Sequence, residues 1–72
     1  MYLFLFESTH HQLSAEKVLK RNKIRPKVVP VPKRYSTGCN IALEASDKDY
    51  NRIEELINKA QLDYKVVEIK ND

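Results

Sequence analysis

Short apolar runs alternate along this chain with longer segments whose apolar residues recur at helical spacing. Residues 2–6 (Tyr2, Leu3, Phe4, Leu5, Phe6) are an unbroken apolar and aromatic run that stops at Glu7. That is the pattern of a strand buried in the middle of a sheet. A helix start follows, because Thr9 with Gln12 three residues on matches a capping box, with Ser8 as a competing cap. Ala15, Val18 and Leu19 then recur at helical spacing, while Glu16, Lys17, Lys20 and Arg21 face water. Asn22 closes this helix near residues 21–23.

Residues 24–31 read as the second strand, which Pro26 can open. Pro30 and Pro32 lie two apart, so the amides they lack would point to the same side, and only an edge strand tolerates that. Residues 33–39 read as a loop. From Asn40 to Ala45 the chain alternates, with Ile41, Leu43 and Ala45 on one face and Ala42 and Glu44 on the other. Ser46 or Asp47 is expected to cap a second helix, with Ile53, Leu56, Ile57 and Ala60 as its apolar stripe. The last strand is predicted over 64–70, with Val67 and Ile69 inward. The order β-α-β-β-α-β predicts an α+β fold, a ferredoxin-like sandwich. Its antiparallel sheet would run in the order 4-1-3-2 with two helices on one face. Strand 2 is then an edge, where the prolines independently put it.

The length, 72 residues, fits one domain spanning 1–72. A chain this short buries only about 60% of its unfolded surface. Its core rarely supplies more than about 3–5 kcal/mol without a staple. A single cysteine cannot form an internal disulfide, and it fits a reducing intracellular setting. The apolar start has no basic leader and is too short for a signal peptide or a membrane span, so a cytoplasmic location is expected. The net charge is +3. Much of the excess lies in Lys17, Lys20, Arg21, Lys23, Arg25, Lys27, Lys33 and Arg34, with Glu16 the one acid beside them. An anionic partner is conceivable, and a solvated surface is the simpler reading.

Residues 29–40 concentrate what is rare here: two of the three prolines, the only glycine and the only cysteine. With strands 1 and 3 antiparallel neighbours, Glu7 to His11 and Gly38 to Asn40 are expected at one rim. Cys39 would then lie near the first turn of helix 1. A helix N-terminus carries about half a positive charge and unpaired amides. A thiol beside such an end, or beside Lys, Arg or His, can fall from a pKa of about 8.5 to about 3.5–7.5. The helix end, Lys33, Arg34 and His10 or His11 could all contribute, while Gly38 would let backbone amides approach an anion. Cys39 is therefore expected to be an exposed, activated thiol. The competing reading is a small hydrophobe at the end of a core strand.

Two blocks resemble the small bacterial domains of the selenium/sulfur (Se/S) carrier protein-like family. One runs Phe6-Glu7-Ser8-Thr9-His10-His11 and continues through Ala15-Glu16-Lys17-Val18-Leu19-Lys20. The other runs Val29-Pro30-Val31-Pro32-Lys33-Arg34, then Ser36-Thr37-Gly38-Cys39 and Ile41-Ala42-Leu43. The more specific feature is the Pro-x-Pro-basic segment leading to a single cysteine. The resemblance implies a non-enzymatic carrier that holds sulfur or selenium transiently on Cys39 as a persulfide or selenosulfide, with no resident cofactor. It also implies a donor such as a cysteine desulfurase or selenocysteine lyase, and an acceptor protein. Where the family pattern has glycine after the cysteine, this chain has Asn40, the next best residue for a left-handed backbone. The candidate site is thus Cys39 as anchor, Gly38 and Asn40 shaping its loop, and Lys33, Arg34 and His10 favouring the anion.

Rival chemistries have less to stand on. Adjacent His10 and His11 would diverge by about 100° on a helix, and no second cysteine completes a soft-metal set, so no metal is expected. No Ser-His-Asp or Cys-His-Asn set and no phosphate loop can be read. The alternative from another class is a small RNA-binding or interaction module, with Tyr2, Phe4 and Phe6 displayed on the open face of the sheet. Those rings lack the basic-glycine-aromatic pattern of an RNA-recognition strand, which makes nucleic acid the weaker partner. If they sat on an uncovered face, a second copy could cover them in a homodimer.

Overall fold

The computed structural model describes residues 1–35 and 41–69. Its elements are β1 (Tyr2–Leu5), α1 (Thr9–Arg21), β2 (Lys27–Pro30), β3 (Ile41–Ala45), α2 (Tyr50–Lys59) and β4 (Lys65–Glu68). The four strands form one antiparallel sheet in the order β2-β3-β1-β4, which is 4-1-3-2 read from the other edge. β1 sits inside it, pairing Tyr2 with Ala45 and Phe4 with Leu43 on one side. On the other side it pairs Tyr2 with Glu68 and Leu5 with Lys65. β2 pairs only with β3, from Lys27 opposite Glu44 to Pro30 opposite Ile41, so the proline-bearing strand is an edge as expected.

The helices begin and end for identifiable reasons. Ser8, in extended conformation, caps α1 by accepting a hydrogen bond from the His11 amide at 3.2 Å. The cap is therefore Ser8 and not Thr9, which is already the first helical residue. The cap of α2 is Asp49 and not Ser46 or Asp47; Ser46 forms the turn before it, its hydroxyl accepting from the Asp49 amide and its carbonyl from the Tyr50 amide. Both helices close with a Schellman motif. The Ile24 amide reaches the Leu19 carbonyl at 2.9 Å and the Leu62 amide reaches the Ile57 carbonyl at 3.3 Å. The turning residues, Lys23 (φ 63°) and Gln61 (φ 58°), are left-handed without being glycine. This holds the expected second strand back to Lys27, because Ile24 is used to seal the end of α1 and packs against the core.

Every residue from Leu3 to Phe6 is at most 4% exposed, so β1 is buried on both faces. Phe4 and Phe6 point toward the helices, where they meet Ala15, Leu19, Leu43, Ala45, Ile53 and Ile57. Tyr2 packs on the same side, its ring stacked on Tyr50 at 4.2 Å. The aromatic row therefore belongs to the helix-covered core. That removes both the stacking platform of an RNA-binding sheet and the reason given for a homodimer. Leu3 and Leu5 point the other way and cluster with Ala42, Val29, Val31, Tyr35, Val67 and Ile69. Val67 and Ile69 thus face away from the helices, and the inward residues near β4 are Tyr64 and Val66. The strand is shorter than expected, Lys65–Glu68 rather than 64–70, and Lys70 lies outside the described residues.

Two stability measurements test these assignments. Lys23→Gly and Gln61→Gly should each raise stability by about 0.5–1 kcal/mol, by relieving a left-handed side chain. The check is the urea midpoint at unchanged slope. Leu5→Ala should cost about 2–3 kcal/mol, as a sealed leucine does, although no helix covers its face. A loss under about 0.5 kcal/mol would mean that the leucine is exposed.

Candidate functional site

Four chain segments converge on one rim of the sheet. β1 leaves it through Glu7 and Ser8 into α1, and β2 ends there at Pro30. Ile41, opposite Pro30, begins β3, and Lys65, opposite Leu5, begins β4. The start of α1 and the start of β3 therefore share this rim, as antiparallel pairing of β1 with β3 requires.

The first turn of α1 is short of acceptors by construction, because the leading amides of any helix have no intrahelical partner. Ser8 satisfies the amide of His11, and no acidic side chain lies in the turn. The positive end of the helix dipole is therefore not neutralised within it. His10 is exposed, and its carbonyl accepts from the Ser14 hydroxyl at 3.1 Å. His11 is half-buried, and its Nδ1 is buried with no hydrogen-bond partner among the described residues. The two rings lie 6.2 Å apart and tilted by 53°, so they do not converge on one point. Among the described residues, no group of three or more His, Cys, Asp or Glu side chains is placed to hold a metal ion.

Beyond β2 the chain runs under the helix-free face. The Tyr35 amide closes a turn onto the Pro32 carbonyl at 2.9 Å. Val31 and Tyr35 pack against Leu3, Leu5 and Ala42, which makes residues 31–35 a strap beneath the central strand. The Arg34 guanidinium stacks on the Tyr35 ring at 5.1 Å, and Lys33 is exposed beside it. Lys33 and Arg34 thus belong to the strap and His10 to the helix turn above, and among the described residues no hydrogen bond or ion pair joins them. Gly38, Cys39 and Asn40 lie outside the described residues. Sequence reasoning did not single out Tyr35 or Lys65. Tyr35 is the anchor of the strap, and the strand register puts Lys65 at the rim. Nothing local marks Tyr35 as packed under the sheet, whereas Lys65 follows from the sheet order once a register is assigned.

Away from the rim, the fold perturbs three tyrosines under α2. The Tyr50 hydroxyl donates to Glu54 Oε2 at 2.7 Å, and that bond, together with burial and the Glu54 charge, pushes its pKa up to about 12. The charge of Glu68 raises Tyr2, and burial raises Tyr64.

An antiparallel sheet with two helices above and a proline-stiffened strap below defines a class of small α+β domain built around one rim. The chain belongs to the family described as "Putative Se/S carrier protein-like", whose model matches residues 1–67. Comparison with curated proteins and with solved structures gave no match. Among the described residues, no helix is long and apolar enough to cross a membrane.

The tyrosine cluster gives a pH test. A phenol held neutral by the fold contributes stability that is complete below pH about 10 and lost as pH rises through the folded value. The urea midpoint should therefore fall between about pH 10 and 12, and Tyr50→Phe should shallow that fall. An unchanged slope in Tyr50→Phe would contradict the Tyr50–Glu54 assignment.

Proposed function

We propose that this chain is a ferredoxin-like sandwich whose task is to carry sulfur or selenium on Cys39. The reading is carried by the family match, which runs across the cysteine loop and both segments that flank it. The rim geometry supports it. Cys39 precedes Ile41 by two positions, and covalent reach keeps it within about 7 Å of the start of β3, on the rim where α1 begins. A thiolate there would be favoured by the positive end of that helix, with Lys33, Arg34, His10 and Lys65 as further positive or proton-donating groups. Gly38 and Asn40, on either side, can take the left-handed conformations that a tight loop needs.

The chemistry is thiol exchange. The Cys39 thiolate attacks the terminal sulfur of a donor persulfide, a new S–S bond forms on Cys39, and the donor's S–S bond breaks to leave the donor thiolate. An acceptor thiolate then attacks the same terminal sulfur and regenerates the Cys39 thiolate. Selenium would travel by the same exchange as a selenosulfide. Neither step needs an external oxidant or reductant, which suits a carrier more than an enzyme. The aromatic row is committed to the core, so no observation favours the RNA-binding reading.

Incubation with a cysteine desulfurase and cysteine, followed by intact-mass analysis, tests the carrier role. Wild type should gain one sulfur atom, lost again on reduction, and Cys39→Ser should gain none. Equal labelling of both proteins, or of neither when glutathione persulfide is the donor, would end the proposal.

A further inference from the structure

Charge in this molecule is strongly segregated. Residues 17–34 hold eight of the thirteen Lys and Arg residues and none of the ten Asp and Glu residues. All eight are exposed, and Lys27 is the only one in a salt bridge among the described residues, to Glu44 at 3.1 Å. Spaced three and four apart, Lys17, Lys20 and Arg21 share the outer face of α1. Lys23 and Arg25 continue past its end, Lys27 opens β2, and Lys33 and Arg34 ride on the strap. The band thus runs the length of the α1–β2 flank and finishes on the strap that feeds the cysteine loop. A solvated surface usually mixes its charges; here the partners of seven cations are missing from the chain's own described surface.

The same flank holds both of the large hydrophobic residues most exposed to water. Leu13, 50% exposed, lies on the outer face of α1 one turn before Lys17, and Val28, 43% exposed, lies on β2 next to Lys27. Apolar anchors within a ring of charge are what a protein interface uses. Single-stranded nucleic acid would instead need exposed aromatic faces for its bases. Five of the six aromatic rings are packed on the helix side of the sheet, and Tyr35 lies under it with Arg34 stacked on it.

We propose that the α1–β2 flank is a docking surface for an acidic protein, the donor or acceptor with which Cys39 exchanges sulfur or selenium. The proposal rests on the carrier reading for the partner's role but not for the binding itself. Opposite charge along the whole flank would raise the rate of encounter and set the orientation, so that the end of the band on the strap delivers the cysteine loop to the partner's thiol. Leu13 supplies the contact that holds once the charges have met.

The test uses the full chain carrying Cys39→Ser, so that no sulfur chemistry enters, and a fluorescent amphipathic peptide of repeated Glu-Glu-Leu-Glu as probe. Binding is expected to weaken about tenfold or more when salt rises from about 0.05 to 0.3 M. It should also weaken about tenfold or more in Lys17→Glu/Lys20→Glu/Arg21→Glu, and clearly in Leu13→Gln. Lys48→Glu/Arg52→Glu/Lys59→Glu, with the same charge change on the α2 side, should bind like the parent. Glutamine versions of the three α1 substitutions repeat the test if the reversed helix unfolds. No binding, equal loss in the α2 variant, or tighter binding of single-stranded RNA than of the peptide would overturn the proposal. Binding without sulfur gain on wild-type Cys39 would instead sink the carrier reading alone.

Discussion

A central strand with no exposed face governs this structure. Leu3, Phe4, Leu5 and Phe6 alternate between two apolar environments, so cover must be found above the sheet and below it. Above, α1 and α2 supply it in the ordinary way, with Leu19 and Ile57 set over Phe4 and Phe6. Below, no helix lies among the described residues, and residues 31–35 take that role with Val31 and Tyr35. Pro30 and Pro32 stiffen this strap, which lowers the entropy lost in laying it against the sheet. The same prolines blunt the edge strand that leads into it.

The packing has a consequence for chemistry. Tyr35 pins the end of the strap beneath the central strand, and β3 begins at Ile41 on the rim where α1 begins. Burial of β1 and the course of the strap are thus one arrangement. The helix end, the strap cations and the basic flank all bias that side of the molecule toward anions, whether a thiolate on this chain or carboxylates on another.

The topology was legible in the sequence because its signals agree. The apolar run at residues 2–6, the two helical stripes and the paired prolines each point to the same sheet order. Local chemistry was less legible. Ser8 and Thr9 both suit a helix cap, and only the backbone conformation of Ser8 decides between them. Lys23 and Gln61 carry no turn signature, since the Schellman closures take a lysine and a glutamine where glycine is usual. Strand β4 was assigned the wrong inward face because Val66 and Val67 are both apolar, so alternation could not choose a parity. Tyr35 was missed for a similar reason: nothing in Arg34-Tyr35-Ser36 tells that the ring returns beneath a strand thirty residues earlier. The candidate site was read from connectivity, and His10, Lys33 and Arg34 fall on two separate segments of the rim rather than in one cluster.

A carrier role for Cys39 requires a sulfur anion that forms more easily at this rim than in free solution. The rate of Cys39 alkylation by iodoacetamide, followed against pH on the folded chain, measures that directly. It should titrate with a midpoint clearly below the ordinary thiol value of about 8.5. A midpoint at or above that value, or a thiol that reacts only once denaturant is added, would contradict it.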